Sequence, residues 1–331
     1  MTIKHIIFPG GGPIGFFVYG ALKRLHYCNF WNIKNIESIY CTSIGGLLGI
    51  ITILDLNWNW IDDFLIKRPW NKIIDINNIN YLKILSEKGV FDLIIAKNII
   101  DPLLKSKGLD SEITLEQFYN FSNISIYFCS TNINSNILED EIISHKNYPN
   151  MKLYEALYCT LNIPFIFKPY FYHNKCLIDG GLINNNPIKN CLENENCADD
   201  EFLFFTNSND LKENVITEES NIFNLLLLIL SKMAVTIMFR NLEFEKKKKI
   251  KNIIHCNTNN GALNLSYWLE ILNSQEERIS LIDEGTILAD KFLMEKYPTF
   301  YDTNIPKFDS SLNKIIDISN NFSDLSNNNY I

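Results

Sequence analysis

Short apolar runs punctuated by glycines and turn residues recur along this chain, at residues 3–8, 36–40, 124–130, 201–206 and, more weakly, 252–255. Runs of that length fit strands buried on both faces of a sheet. Between them the apolar residues fall at helical spacing, notably over residues 16–25, 47–56 and 153–161. Alternating strands and helices predict an α/β protein of three layers, with a mainly parallel sheet and helices on both faces. The stretch 61–110, rich in Asn, Ile and Leu, reads as a helical insertion.

The pattern changes after about residue 210. Residues 210–221 are polar and acidic, and residues 222–239 are mostly apolar. At about eighteen residues this segment is barely long enough to span a bilayer, and Lys232 near its middle opposes spanning. A buried or groove-lining helix is expected. Residues 246–249 are all lysine and Lys251 follows, a run that reads as a solvated helix face or, beside an apolar helix, as a contact for anionic headgroups. We therefore expect two regions, an α/β domain over 1–210 and a mainly helical C-terminal extension over 211–331, with a frayed tail from residue 310.

Three segments carry candidate chemistry. Gly10, Gly11, Gly12 and Gly15 lie between the first apolar run and the first helical pattern. This spacing fits a dinucleotide-binding turn, but also a loop whose main-chain amides stabilise an oxyanion from a helix N-terminus. The dinucleotide reading requires an acid ending the second strand, and the chain has Tyr40, Cys41, Thr42 and Ser43 there. Ser43, followed by Ile44, Gly45 and Gly46, sits between a strand-like and a helix-like run, as a nucleophile does on a tight elbow. The plain alternative is a hydrogen-bonded turn serine. Further on, Asp179, Gly180 and Gly181 precede Asn184, Asn185, Asn186 and Pro187. Alone, that would be an ordinary hairpin turn.

In this order the three segments resemble the patatin-like phospholipase family, and the stretch 154–169, with Ile163 and Pro164, resembles the family's helix and turn before the aspartate loop. The likeness covers roughly residues 1–210. It implies a patatin-like fold, a Ser43 nucleophile, an Asp179 base, an oxyanion loop at Gly10 to Gly15, a glycerolipid or phospholipid substrate, and no cofactor or metal. By the same likeness the 61–110 insertion would lie over the site as a lid. Two positions depart from the family pattern: Cys41 stands where glycine is usual, and Ile14 where a basic residue is common.

Composition is consistent with that class. The 331 residues are 47% hydrophobic, enough for a large core. A net charge of −8 argues against nucleic acid as a partner. Eight scattered cysteines without a C-x-x-C pair suit a reducing, cytoplasmic setting, with membrane contact at most peripheral. The first strand begins at once, leaving no stretch for a signal peptide. A competing mechanism, a hydrolase triad completed by His255, has the right chain order but no loop signature around that histidine. A catalytically silent module for protein or membrane binding, and an acyltransferase using the same two residues, are the remaining alternatives.

Overall fold

The computed structural model describes residues 2–75, 81–195, 198–207, 215–246, 250–256 and 265–304. The strands are β1 (His5–Phe8), β2 (Ser38–Thr42), β3 (Ser125–Asn132), β4 (Glu139–Ile143), β5 (Tyr170–Tyr172), β6 (Lys175–Asp179), β7 (Phe202–Thr206) and β8 (Ile253–His255). They form one sheet in the order β5-β6-β3-β2-β1-β7-β8, with β4 also pairing β3. The β3-β2-β1-β7-β8 block is parallel, whereas β4, β5 and β6 join antiparallel. The sheet is thus mixed. Its parallel core coincides with the five apolar runs of the sequence.

Alternate side chains of these strands feed two cores, as the two-residue period of a strand requires. Ile6, Phe8, Ile39, Cys41, Ile126, Phe128, Leu203 and Phe205 belong to the larger one. Ile7, Tyr40, Tyr127, Phe202 and Phe204 belong to the smaller one on the opposite face. Both sets are buried, which is why these segments lack polar alternation.

The helices in the N-terminal half are α1 (Ile14–Tyr27), α2 (Ile44–Leu54), α3 (Trp58–Lys67), α4 (Trp70–Ile73), α5 (Tyr81–Glu87), α6 (Ile94–Ser106) and α7 (Leu115–Ser122). They are followed by α8 (Leu153–Leu161), α9 (Ile188–Asn194), α10 (Ile222–Lys246), α11 (Leu265–Asn273), α12 (Gln275–Lys296) and α13 (Pro298–Asn304). The expected helical insertion is α3 to α6, apart from residues 76–80, which lie outside the described residues. The expected tail from residue 310, residues 210–214 of the polar connection and Lys247, Lys248 and Lys249 lie outside them as well.

The C-terminal part contributes to this architecture directly. β8 extends the parallel block beside β7, and α12 lies along α1. The two helices approach until main chain meets main chain. A Cβ added at Gly20 would stand 2.0 Å from the Ile282 carbonyl oxygen, and one at Gly285 1.9 Å from that of Phe17. An Arg24–Asp290 ion pair of 2.7 Å, with Arg24 only 7% exposed, closes the same crossing.

Candidate functional site

Ser43 caps the N-terminus of α2 immediately after β2, with φ 52° and ψ −126°. A non-glycine residue at positive φ is strained by about 1–3 kcal/mol and persists only where its surroundings enforce it. The enforcement is visible. The Ser43 amide donates to the Thr160 hydroxyl oxygen at 2.8 Å, and that hydroxyl donates to the Cys129 carbonyl at 2.5 Å, tying the turn to α8 and β3. Gly45 lies directly against the Phe8 and Pro9 carbonyls at the end of β1.

Asp179 ends β6, which pairs β3 along the flank where β2 leaves off, β4 occupying the other flank. The registers Thr42 to Cys129 and Ser130 to Asp179 bring both residues to one edge of the sheet. Ser43 Oγ donates to Asp179 Oδ2 at 2.7 Å, while the Gly181 amide donates to Asp179 Oδ1 at 2.7 Å. Gly180 packs on the Cys129 carbonyl, which fixes the turn. Burial pushes the Asp179 carboxyl up from its ordinary 3.8 to about 6, against the opposing pull of the Ser43 and Gly181 hydrogen bonds.

The glycine loop leads from β1 into α1 beside these two residues. The Gly10 amide donates to the Asn185 carbonyl at 3.1 Å, and the Gly15 amide to the Gly12 carbonyl at 3.0 Å. The Gly10 carbonyl accepts from the Asn185 and Asn207 side-chain amides at 3.4 and 3.1 Å. Gly10 and Gly15 therefore anchor the loop, and it is Gly11 and Gly12 that line the cleft with Ser43 and Asp179. Gly12 has φ +55°, a conformation that L side chains rarely adopt.

Two spaces meet at Ser43. One is a cleft containing Asp179, Gly181 and Asn185, roofed by Leu230, Ser231, Ala234 and Val235 of α10. The expectation of a groove-lining helix over 222–239 thus matches the structure. Among the described residues no helix is long and apolar enough to cross a membrane. The other space is an apolar chamber walled by α2, by Leu65, Trp70, Ile95 and Ile99 of the 61–110 segment, and by Trp268 and Leu272 of α11.

The two departures noted in the sequence are both packed. Cys41 is fully buried, and its thiol donates to the Tyr127 carbonyl at 3.2 Å. Ile14 is 1% exposed, beneath Gly11. His255 ends β8, three strand positions from β2, or about 14 Å at the usual strand spacing. No imidazole stands between Ser43 and Asp179, whose oxygens touch directly. Among the described residues no cluster has the makings of a metal site. Thr160, Asn185 and Asn207 were not singled out from the sequence. Thr160 and Asn185 stand within the family-like stretches, but nothing in their spacing distinguishes a turn-holding side chain from its neighbours.

Residues 6–192 match the family model described as patatin-like phospholipase, more than half of the chain, and the protein belongs to that family. It is 24% identical over 186 residues to an uncharacterized protein, R571, of Acanthamoeba polyphaga mimivirus, covering 56% of this chain and 60% of that one. It is 25% identical over 190 residues to a "Probable lipid hydrolase 463L" of Invertebrate iridescent virus 6, covering 56% and 62%. The chain thus spans less than two thirds of either viral relative. Among solved structures it is similar to VipD from Legionella pneumophila, with 16% identity, a TM-score of 0.46, and coverage of 86% of this chain and 67% of that one. The glycine loop, Ser43 and Asp179 fall inside the matched residues, whereas α10, α11 and α12 lie beyond them.

Proposed function

We propose that this protein hydrolyses carboxylic esters of glycerolipids or phospholipids, with Ser43 as nucleophile and Asp179 as base. The observation that carries the reading is the direct Ser43 Oγ to Asp179 Oδ2 hydrogen bond of 2.7 Å on a strained, enforced turn. Family membership supports the lipid ester as substrate.

Ser43 Oγ attacks the ester carbonyl as its proton passes to Asp179 Oδ2. Transfer is concerted with attack, because a carboxylate is far too weak a base to ionise a free hydroxyl. A pKa near 6 narrows that gap while leaving the carboxyl ionised at neutral pH. The carbonyl oxygen becomes negative beside the Gly11 and Gly12 amides, the loop donors not committed to anchoring. The C–O bond then breaks, the alcohol leaves with the proton from Asp179, and the acyl group remains on Ser43. Water attacks that ester, gives a proton to Asp179, and the fatty acid departs as Ser43 recovers its hydrogen. The residues form this mechanism without a metal or cofactor.

The outer face of α10 supports contact with an anionic lipid surface. Ile222, Leu225, Ile229 and Met233 are exposed at helical spacing, and Lys232 is the single formal charge between residues 222 and 237. Reduced flotation with anionic vesicles on Ile229→Glu is the expected result; unchanged flotation removes this contact.

The hydrolase reading is tested by a fluorophosphonate probe, together with fatty acid release from phosphatidylcholine vesicles. Wild type should be labelled and release fatty acid, and Ser43→Ala should do neither. Equal labelling and release by the two proteins would overturn it. Product analysis with an added alcohol separates hydrolysis from acyl transfer.

A further inference from the structure

Among the described residues the chamber beside Ser43 is lined by no charged side chain, and Ser43 is its only hydroxyl-bearing wall residue. If the chain is an ester hydrolase, on which this inference rests, the apolar chamber suits the acyl portion of the substrate. The cleft with Asn185, Ser231 and Asp179 suits the alcohol portion.

One wall comes from outside the family-matched residues. The Trp268 indole lies so close to Gly12 that a Cβ there would stand 2.5 Å from Cζ2 and 3.0 Å from Nε1. Gly12 is one of the two loop residues beside the developing oxyanion, so the first carbons of an acyl chain leave the carbonyl next to this ring. Trp268 is 6% exposed, and its helix is pinned. The buried Arg278 guanidinium donates to the Ile271 and Leu272 carbonyls of α11 at 2.7 and 3.1 Å, and to the Ile66 carbonyl of α3 at 2.6 and 3.1 Å. Two helix C-termini, each the negative end of a dipole, thus converge on one cation. The walls bearing Leu65 and Trp268 are held at fixed separation.

We propose that Trp268 makes the site selective for straight acyl chains over chains branched next to the carbonyl. A rigid wall at that point leaves no room for an extra methyl without displacing the indole or Gly12. A methyl in a close-packed apolar site is commonly worth about 10- to 200-fold in discrimination.

The test compares kcat/KM for p-nitrophenyl butyrate and p-nitrophenyl 2-methylbutyrate in wild type, Trp268→Ala and Trp268→Phe, each checked by thermal melting. Because both esters meet the same protein, any general loss of rate cancels in the ratio. Wild type should favour the straight ester at least about tenfold. Trp268→Ala should narrow that preference at least about fivefold and Trp268→Phe by about two- to threefold, because benzene is smaller than indole. If Trp268→Ala does not fold, the Phe variant decides. A ratio that stays at the wild-type value in the folded variants overturns the proposal. If wild type hydrolyses neither ester and Ser43 resists the fluorophosphonate, the hydrolase reading falls and this inference with it. Ser43-dependent hydrolysis with unchanged ratios removes the selectivity role alone.

Discussion

Replacing Asp179 by Asn should abolish turnover and, at the same time, stabilise the fold. Asparagine keeps an oxygen for the Gly181 amide and places an NH2 group where Oδ2 now meets Ser43, so both hydrogen-bond positions remain filled. What disappears is the buried charge. Raising a carboxyl from 3.8 to about 6 means that the folded protein disfavours its ionised form by about 3 kcal/mol, at about 1.4 kcal/mol per pH unit. Since the folded-state value is raised, the native protein holds the proton more tightly than the unfolded chain. The carboxyl's favourable contribution is complete below 3.8 and is lost as pH rises through about 6. A residue neutral at every pH escapes that loss. The difference in stability between Asp179→Asn and wild type should therefore widen from acid pH to about 6 and then level off, reaching a Tm several degrees higher at pH 8. Chemical denaturation from pH 4 to 8, run beside an ester assay, measures both effects. Turnover should fall by about 10⁴-fold, as for the acid of other serine catalytic units. A variant melting at or below wild type at pH 8, or retaining activity within about tenfold, refutes the reasoning.

In wild type, kcat/KM should rise with an apparent pKa near 6 and then level off, since the base must be ionised; a flat profile from pH 5 to 8 would separate Asp179 from the proton transfer. Ser43→Ala combined with Asp179→Asn should be no slower than the worse single variant, because the two act as one unit; multiplicative losses in the ester assay would contradict this. Asn207→Ala removes one of the two amides on the Gly10 carbonyl and should lower kcat by about tenfold with little change in KM, at roughly 1–2 kcal/mol for such a buried hydrogen bond; a pure KM effect would place Asn207 in binding instead. Ile14→Arg would bury an unpaired charge beneath the loop and should cost a few kcal/mol by chemical denaturation; a folded, faster enzyme would show that the loop had room for the family's cation.

The parallel block was legible because each strand is buried on both faces and therefore apolar throughout. The antiparallel strands were not. β4 reads Glu-Asp-Glu-Ile-Ile and is largely exposed, while β5 has three residues and lies at the sheet edge, so neither carries the buried-strand signature. The tight turns that bring Ser43 and Asp179 together could be read from their glycine neighbours. Thr160 and Asn207 were not legible, because a polar side chain that holds a backbone from across the fold leaves no periodic trace. The division of labour in the glycine loop was also invisible. Only the three-dimensional path shows that the Gly10 amide is bound to Asn185 and that Gly11 and Gly12 face the cleft.

The α1–α12 crossing has a bearing on how this chain can vary. In most cores an enlarged side chain is accommodated by trimming its neighbour, and lineages wander through such paired exchanges. At Gly20 and Gly285 the opposing group is a carbonyl oxygen, which every amino acid carries. No second change across the contact can make room, so each glycine is irreplaceable on its own account. Grafting another C-terminal region onto this N-terminal half should then succeed only where the donor helix brings a glycine to the same level of the crossing.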